Sequence, residues 1–263
     1  MTTHQQSVQD QFNATSEAYL SSDVHRHGAD LLQACEHVAA ISDQLQSVVD
    51  LGCGAGHLSY ALANTVPHIT AVDAALAMIQ LVTHETKERG LDNITPLQAS
   101  VESLPFETHS IDLICSRYSA HHWTDMTKAA HEIKRVIKPN GFLMMIDIEG
   151  FANPIIDTHF QTIELLRDRS HVRNYSDKEW RAWFNAVGYE VTHHSVHPIR
   201  LDFQSWVARM QTPTNKIDMI QHLQQEASAQ VKEALQVEQD GSFTAVTGIW
   251  LGRRAVCTLP GKH

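Results

Sequence analysis

The sequence predicts an α/β fold of the doubly wound type, in which helices cover both faces of a mostly parallel sheet. From about residue 47 onward, short β-branched or apolar segments alternate with helix-like segments, a pattern typical of parallel sheets. The segment 142–148 (FLMMIDI) is almost continuously apolar, which indicates a strand buried on both faces. Glycines directly follow the first predicted strand, where doubly wound folds bind their ligands.

The individual elements are predicted from local pattern. Each strand prediction rests on a run of β-branched or apolar residues, and each helix prediction rests on apolar residues at helical spacing. Gly90 marks a helix end, because glycine is common just beyond the last helical turn. Strands are predicted at 47–51, 69–73, 94–99, 111–116, 142–148, 189–197 and 242–251, and helices at 55–65, 75–89, 126–137, 154–169, 177–187 and, for the most part, 203–236.

The length of 263 residues suits one α/β domain, which we divide into three stretches. Residues 1–45 are polar and mostly helical in pattern, and they are predicted to form an N-terminal lid with Tyr19 and His25 as candidate contacts to a ligand. Residues 46–150 form the predicted ligand-binding core. Residues 151–263 are expected to complete the same domain with helices over the substrate side and the last strands.

Composition excludes several classes of protein. The formal net charge is −10, and binding to a phosphate backbone needs clustered lysine and arginine, so we expect no nucleic-acid partner. No apolar run approaches the roughly 20 residues needed to cross a bilayer, so no membrane insertion is expected. Four scattered cysteines without a C-x-x-C pair indicate reduced thiols and a cytoplasmic protein. The histidines are equally scattered, and we expect no metal site.

The most informative motif is DLGCGAG at 50–56, between a predicted strand and a predicted helix. Glycines there permit a sharp turn and the close approach of a ligand to the main chain. A dinucleotide site would have its third glycine at position 57, where His57 stands, so the spacing argues against a pyrophosphate-binding loop. Asp73 ends the next predicted strand, where a carboxylate can accept hydrogen bonds from both hydroxyls of a ribose.

With these motifs the chain resembles the class I S-adenosylmethionine (SAM) dependent methyltransferases, in particular their UbiE-like branch. The residues that carry this resemblance are 50–56, 71–73, ESLPF at 102–106 and RVIKPNG at 135–141. The segments SRYSAHHW at 116–123, SHVRNY at 170–175 and SWVARM at 205–210 are similar to the bacterial YafE-like methyltransferases. The resemblance covers nearly the whole chain. It implies a seven-stranded Rossmann-like sheet, SAM as cofactor, C- or O-methylation of a small-molecule acceptor with S-adenosylhomocysteine as product, and a monomer or homodimer.

The resemblance also implies roles for individual residues. Asp50 would support the loop and the amino group of SAM, the glycines would line its methionine part, and Asp73 would hold its ribose. Where the family usually offers an acidic residue to the adenine amino group, this chain has Ser100, whose hydroxyl can accept the same hydrogen bond, while the N–H of Val101 can meet a ring nitrogen. The full predicted set of cofactor-binding residues is Asp50, Gly52, Cys53, Gly54, Gly56, Asp73, Ala74, Ser100, Val101, Glu102, Ser116 and Arg117.

Two histidines are candidates for chemistry. Methyl transfer is an in-line displacement in which most of the catalysis can come from orientation, so a general base is optional. His121 and His122 directly follow the fourth predicted strand, near the carboxyl end of the sheet, and either could act as a base of near-neutral pKa. The alternative is that both histidines cap the next helix or contact Trp123. Tyr118, in the same segment, is a candidate contact to the acceptor.

Three further residues between two of the added helices are candidate acceptor contacts. Arg169, His171 and Arg173 could hold an anionic acceptor, because arginine offers two donors to a carboxylate. The alternative is a solvated turn between helices. Two other functions also stay open at this point: a SAM-binding protein without transfer activity and, less in keeping with the glycine spacing, a nicotinamide-dependent oxidoreductase.

Overall fold

A seven-stranded sheet forms the centre of the protein in the computed structural model, which describes residues 3–4, 6–8, 11–12 and 28–254. The strands are β1 (Val48–Leu51), β2 (Ile69–Asp73), β3 (Ile94–Gln98), β4 (Ile111–Arg117), β5 (Ile137–Ile148), β6 (Tyr189–Leu201) and β7 (Phe243–Arg254). Their order is β3-β2-β1-β4-β5-β7-β6. The first five are parallel, and β7 is antiparallel to both of its neighbours. The predicted fold class is therefore confirmed.

Helices cover both faces of this sheet. They are α1 (Ala29–Ala39), α2 (His57–Leu62), α3 (Leu76–Glu88), α4 (Met126–Val136), α5 (Pro154–Arg167), α6 (Asp177–Val187), α7 (Phe203–Arg209), α8 (Thr214–Glu226) and α9 (Ala229–Leu235). The helix predicted at 55–65 is shorter, because its N-cap is Gly56 with a φ of 85°. The long helical stretch predicted at 203–236 divides into three helices, since Pro213 and Ser228 stand at N-cap positions within it.

Neighbouring residues of a strand enter opposite halves of the core. Val48 belongs to a cluster with residues of α1, α2 and α3, whereas Val49 belongs to a cluster with residues of α4 and α6. This alternation follows from the two-residue period of a strand. In the second cluster Trp180 stacks on Trp250 with ring centroids 5.0 Å apart. A third cluster lies beneath α5 and α7 to α9 and contains Phe160.

The strand order reverses between β1 and β4, and this point positions the candidate site. From β1 the chain continues outward to β2 and β3, and then returns to β4 on the other side of β1. The carboxyl ends of β1, β2 and β4 therefore lie together, at Leu51, Asp73 and Arg117. Doubly wound sheets bind their ligands at such a reversal.

Three expectations from the sequence concern membrane insertion, a metal site and the N-terminal lid. Within the described ranges, no helix is long and apolar enough to span a bilayer, and no group of three or more potential metal ligands is found. Cys35, Cys53 and Cys115 are free thiols. The predicted lid contacts Tyr19 and His25 lie outside the described residues.

Candidate functional site

A cavity lies at the carboxyl ends of β1, β2 and β4, and we refer to it as the first cavity. It encloses about 1060 Å³, part of which is open to solvent. The glycine loop forms one wall, and the segment that follows β3 and the segment that follows β4 form the others. Val8 and Phe12 of the N-terminal region also line it, and the Phe12 ring contacts the His122 ring edge-on at 4.9 Å.

The glycine loop presents its backbone to this cavity. Gly52 and Gly54 have φ values of 66° and 51°, which side-chain-bearing residues rarely adopt. A Cβ atom on Gly52 would lie 1.8 Å from Oγ of Ser119, so this glycine permits contact with the segment after β4. A Cβ atom on Gly54 would meet nothing within 4 Å. The Gly54 side of the loop is therefore open space that a ligand can fill.

Asp50 is buried at the base of the loop with an incomplete set of partners. Its Oδ2 accepts a hydrogen bond of 2.7 Å from Oγ of Ser59. Its Oδ1 is buried and has no hydrogen-bond partner among the described residues. Burial, against the lowering effect of the Ser59 hydrogen bond, raises the pKa of Asp50 to about 6, and the nearby charge of Asp73 adds to the rise. A carboxylate in this state is a site for a cationic ligand group.

Asp73 connects the loop to the end of β2. Its Oδ2 accepts from the N–H of Gly54 at 2.9 Å, and its Oδ1 accepts from the N–H of Ala75 at 2.8 Å. Burial raises the pKa of Asp73, while the main-chain N–H donors oppose the rise. Each carboxylate oxygen can accept a second hydrogen bond, so the fixed carboxylate can still receive two hydroxyls. Ala74, beside it, lines the same cavity.

The predicted adenine contacts, Ser100 and Val101, lie with the predicted cofactor contact Glu102 on the wall formed by the segment after β3. Ser100, Val101 and Glu102 all line the first cavity. Oγ of Ser100 accepts from the N–H of Glu102 at 3.2 Å, and no described residue accepts a hydrogen bond from the N–H of Val101. The Glu102 carboxylate faces the start of α4, where it accepts from the N–H of Asp125 at 3.1 Å. Glu102 therefore also holds α4 against this wall.

Two predicted cofactor contacts do not line the cavity. Gly56 lies behind the loop, and a Cβ atom there would come within 2.5 Å of the Tyr60 ring. The buried Ser116 donates from Oγ to the carbonyl oxygen of Leu51 at 2.7 Å. Both residues hold the shape of the loop and of the strand ends. The sequence pattern alone does not distinguish this structural role from direct contact with a ligand.

Arg117 lines the first cavity but is engaged in an ion pair. Its Nε lies 2.5 Å from Oδ2 of Asp30, near the start of α1, and both side chains are 4% exposed. The guanidinium also lies over the Tyr118 ring at 4.6 Å. This buried pair ties the beginning of α1 to the floor of the site. The predicted contact with the cofactor stays a prediction.

A second cavity adjoins the first at Tyr118, which lines both. Tyr118 has a φ of 52°, and its hydroxyl is hydrogen-bonded to Oγ1 of Thr247 at 2.8 Å. The second cavity encloses about 520 Å³, including its mouth. Its charged and polar lining residues are His121, Glu164, Arg167, Asn174 and Arg209, and its apolar lining residues are Ile148, Ile199, Leu201 and Trp206.

The predicted acceptor contacts Arg169, His171 and Arg173 lie between α5 and α6, as expected, but they line neither cavity. Arg169 is exposed, and Arg173 forms ion pairs with Asp157 and Glu179 at 3.0 Å each. Neither arginine lines the first or the second cavity. His171, also outside both cavities, shares a hydrogen bond of 2.9 Å between its Nε2 and Oε1 of Gln161. The arginines at the second cavity are instead Arg167 and Arg209, which the pattern did not single out.

His121 and His122 point to different cavities. His122 lines the first cavity, and its Nδ1 lies 3.1 Å from the carbonyl oxygen of Ser170. His121 lines the second cavity and pairs with Asp147. Sequence reasoning missed Asp147, although one signal was present: it is the single charged residue in the apolar segment 142–148.

Comparison with known proteins identifies the family. A family model described as a methyltransferase domain matches residues 49–145. YafE of Escherichia coli, described as uncharacterized, is 39% identical over 194 residues, which cover 74% of this chain and 94% of YafE. The uncharacterized methyltransferase YcgJ of Bacillus subtilis is 34% identical over 207 residues, or 78% of this chain and 80% of YcgJ. This chain belongs to the class I SAM-dependent methyltransferases.

Structural comparison agrees with this membership of the methyltransferases. The crystal structure of YcgJ matches with a TM-score of 0.77 and 30% identity, covering 85% of this chain and 98% of that chain. The ubiquinone/menaquinone biosynthesis C-methyltransferase UbiE of Hahella chejuensis is 30% identical over 114 residues, which are 42% of this chain and 46% of UbiE. Within the methyltransferases the chain is therefore related to YafE and UbiE, which decides against the nicotinamide-dependent alternative.

Proposed function

We propose that this methyltransferase binds SAM in the first cavity and transfers its methyl group to a small-molecule acceptor bound in the second. The observation that carries the proposal is the buried Oδ1 of Asp50, which has no partner among the described residues and stands beside the glycine loop. A buried carboxylate oxygen without a partner is costly, and the ammonium group of SAM can supply the missing donor.

The charge of the first cavity also fits SAM, whose ammonium, sulfonium and carboxylate leave one net positive charge. Three carboxylates line the cavity, those of Asp50, Asp73 and Glu102, and the last lies 3.8 Å from Nζ of Lys128. Its arginine, Arg117, is paired with Asp30. The wall is therefore net negative, which favours a cationic ligand in a partly buried site. When bound, SAM supplies an electrophilic methyl group and leaves as S-adenosylhomocysteine.

The position of Tyr118 supports the placement of the acceptor. Because Tyr118 lines both cavities, a ligand in each would meet beside its ring. Arg167 in the wall of the second cavity is paired with Glu164 at 3.4 Å and donates from Nε to the carbonyl oxygen of Trp206 at 2.9 Å, so the charged lining holds its own arrangement and leaves the acceptor to be oriented by the apolar wall. We further propose that the reaction is a C- or O-methylation. We also propose that the protein is cytoplasmic and is a monomer or a homodimer.

Replacement of Asp73 by alanine tests the proposed ribose contact. Asp73→Ala removes two hydrogen bonds to a charged acceptor, each worth about 1.5–3 kcal/mol, so the dissociation constant for SAM should rise at least about tenfold. Calorimetric titration with SAM measures this change. Asp92→Ala, at an exposed aspartate outside both cavities, is the matched control and should bind like the wild type. An unchanged dissociation constant in Asp73→Ala would contradict the ribose assignment.

Transfer itself is tested with methyl-labelled SAM and fractions of small metabolites. The wild-type protein should label a compound in at least one fraction and produce S-adenosylhomocysteine in equal amount. Binding of SAM without labelling of any compound would favour a SAM-binding protein without transfer activity.

A further inference from the structure

A histidine and an aspartate form a pair at the wall of the second cavity. Nδ1 of His121 lies 2.5 Å from Oδ1 of Asp147. His121 lies three residues after Tyr118, whose φ is positive, and Asp147 is near the end of β5. The pair therefore joins the segments that end two neighbouring strands, beside the residue that separates the two cavities.

The carboxylate of this pair is held rigidly. Asp147 is 2% exposed, its Oδ1 also accepts from the N–H of Ile148 at 2.8 Å, and its Oδ2 accepts from the N–H of His121 at 3.2 Å. Two contacts from Asp147 to the same residue fix both the main chain and the ring of His121. A fixed carboxylate at Nδ1 also fixes the tautomer, so that Nε2 of the neutral ring is an acceptor.

Nε2 of His121 is the nitrogen left for a ligand. No described residue is hydrogen-bonded to it, and the side chain is 17% exposed, in the wall of the second cavity. In the two neighbouring histidines, a ring nitrogen faces a protein group. Nδ1 of His122 is directed to Ser170, and Nε2 of His171 to Gln161. Of the three clustered histidines, His121 alone presents a ring nitrogen to the second cavity, as far as the described residues show.

The pKa shifts of the three histidines also make His121 the most basic of them. Burial lowers the pKa of His121, but the charge and hydrogen bond of Asp147, with the charges of Glu164 and Asp168, outweigh burial and raise it. Burial and then the charge of His121 lower the pKa of His122 to about 4, against the opposing charge of Asp168. Burial, followed by both neighbouring histidines, also lowers the pKa of His171. A proton entering the cluster therefore resides on His121.

We propose that His121 is the general base of the transfer reaction and that Asp147 is its positioning residue, so that the acceptor is a molecule that loses a proton on methylation. The proposal rests on the proposed function. A proton passes from the acceptor atom to Nε2 of His121, and the electron pair of that atom forms the bond to the methyl carbon. The pair of the broken carbon–sulfur bond stays on sulfur, and Asp147 stabilises the imidazolium.

The second cavity narrows the class of acceptor further. A weakly acidic O–H or activated C–H group must reach His121 beside Tyr118. The rest of the molecule faces an apolar wall that includes Leu201 and Trp206, with Arg167 lying over the Trp206 ring at 4.9 Å. These contacts fit a small acidic compound with an apolar or aromatic body, such as a phenol or an enol.

The first test requires no ligand. Histidine ring signals of the free protein are followed by NMR over pH, in the wild type, His121→Gln and Asp147→Asn, with His222→Gln on the exposed face of α8 as a matched control. The signal missing in His121→Gln identifies His121. Its pKa in the wild type should lie above 6.5 and should fall in Asp147→Asn. A pKa of His121 that is the same with and without the Asp147 carboxylate would overturn the pairing.

The second test measures transfer of methyl label from SAM to a panel of phenols and metabolite fractions. His121→Gln should lower turnover by about 10²–10⁴-fold, while His222→Gln has no effect, and calorimetry should show SAM affinity within about twofold of the wild type for both. The base must be neutral, so activity should rise with pH through the pKa of His121. In Asp147→Asn the maximal rate should fall and this rise should move to lower pH.

The outcomes of the second test separate the two proposals. Wild-type turnover retained by His121→Gln, or an unmoved pH profile in Asp147→Asn, contradicts the His121–Asp147 proposal alone. A wild-type protein that does not bind SAM, or binds it and labels nothing, contradicts the proposed function, and the base assignment falls with it.

Discussion

The substitution Gly54→Val is expected to abolish SAM binding in an otherwise folded protein. Gly54 has a φ of 51°, and its missing side chain faces open space in the first cavity. A branched side chain would fill the space proposed for the methionine part of SAM, and the left-handed backbone would add a cost of about 1–2 kcal/mol. We expect the dissociation constant for SAM, measured by calorimetry, to rise by at least about 100-fold, which corresponds to about 2.7 kcal/mol.

Gly90→Val is a closely matched control for this change. Gly90 has a φ of 65°, and a Cβ atom there would also meet nothing within 4 Å, but Gly90 lies at the end of α3 outside the cavity. Both variants should therefore lose similar thermal stability, and only Gly54→Val should lose SAM affinity. Normal binding by Gly54→Val would mean that SAM does not occupy the loop.

The substitution Asp50→Asn is expected to weaken SAM binding and to stabilise the ligand-free protein. The amide keeps an acceptor for Ser59 but removes the charge that the SAM ammonium would pair with, a loss of about 1.5–3 kcal/mol, or about 10–100-fold in affinity. In the ligand-free protein the same charge is buried and has an oxygen without a described partner. Asp50→Asn therefore distinguishes two roles of this carboxylate. If the carboxylate serves to bind the ligand, its replacement should stabilise the ligand-free protein; if it serves to hold the loop, its replacement should not.

The effect of Asp50→Asn on the stability of the ligand-free protein should depend on pH. Burial raises the pKa of Asp50 from 3.8 to about 6, so the folded protein favours the neutral carboxyl. The penalty for ionisation is absent below about pH 4 and grows as the pH rises through about 6, reaching about 3 kcal/mol at 1.36 kcal/mol per pKa unit. Asp50→Asn should raise the midpoint of thermal unfolding at pH 8 and change it little at pH 4.

Binding should show the opposite trend with pH. SAM pairs with the ionised carboxyl, so its affinity for the wild type should fall as the pH drops through about 6, while Asp50→Asn should show a flatter profile. The exposed Asp218→Asn is the control for both measurements. Lower stability of ligand-free Asp50→Asn at pH 8, together with unchanged SAM affinity, would show that the carboxyl supports the loop alone.

The sequence was sufficient to predict most of the fold because the central parallel strands, such as β1 and β4, are buried on both faces. Such strands read as apolar runs, and their alternation with helices indicates a parallel sheet with right-handed crossovers. Boundaries were less accurate where main-chain geometry decides them, as at Gly56, whose positive φ starts α2 late. The residues that start the helices between 203 and 236 were also not distinguishable from helical ones by apolar spacing.

The site was predictable where one short segment builds it. The loop at 50–56 and Asp73 come together because consecutive parallel strands end at the same edge. The second cavity draws on chain that is distant in sequence. Whether Arg167 or Arg169 faces inward depends on where α5 ends, and the pairing of His121 with Asp147 depends on strand register, so neither could be read from local pattern.

A crystal structure with S-adenosylhomocysteine bound tests the central claim most directly. The account predicts the amino group of the product within hydrogen-bond distance of Oδ1 of Asp50, the ribose hydroxyls on Asp73, and the sulfur directed toward Tyr118 and the second cavity. Product bound at another surface, or in the first cavity with its sulfur facing away from Tyr118, would contradict it.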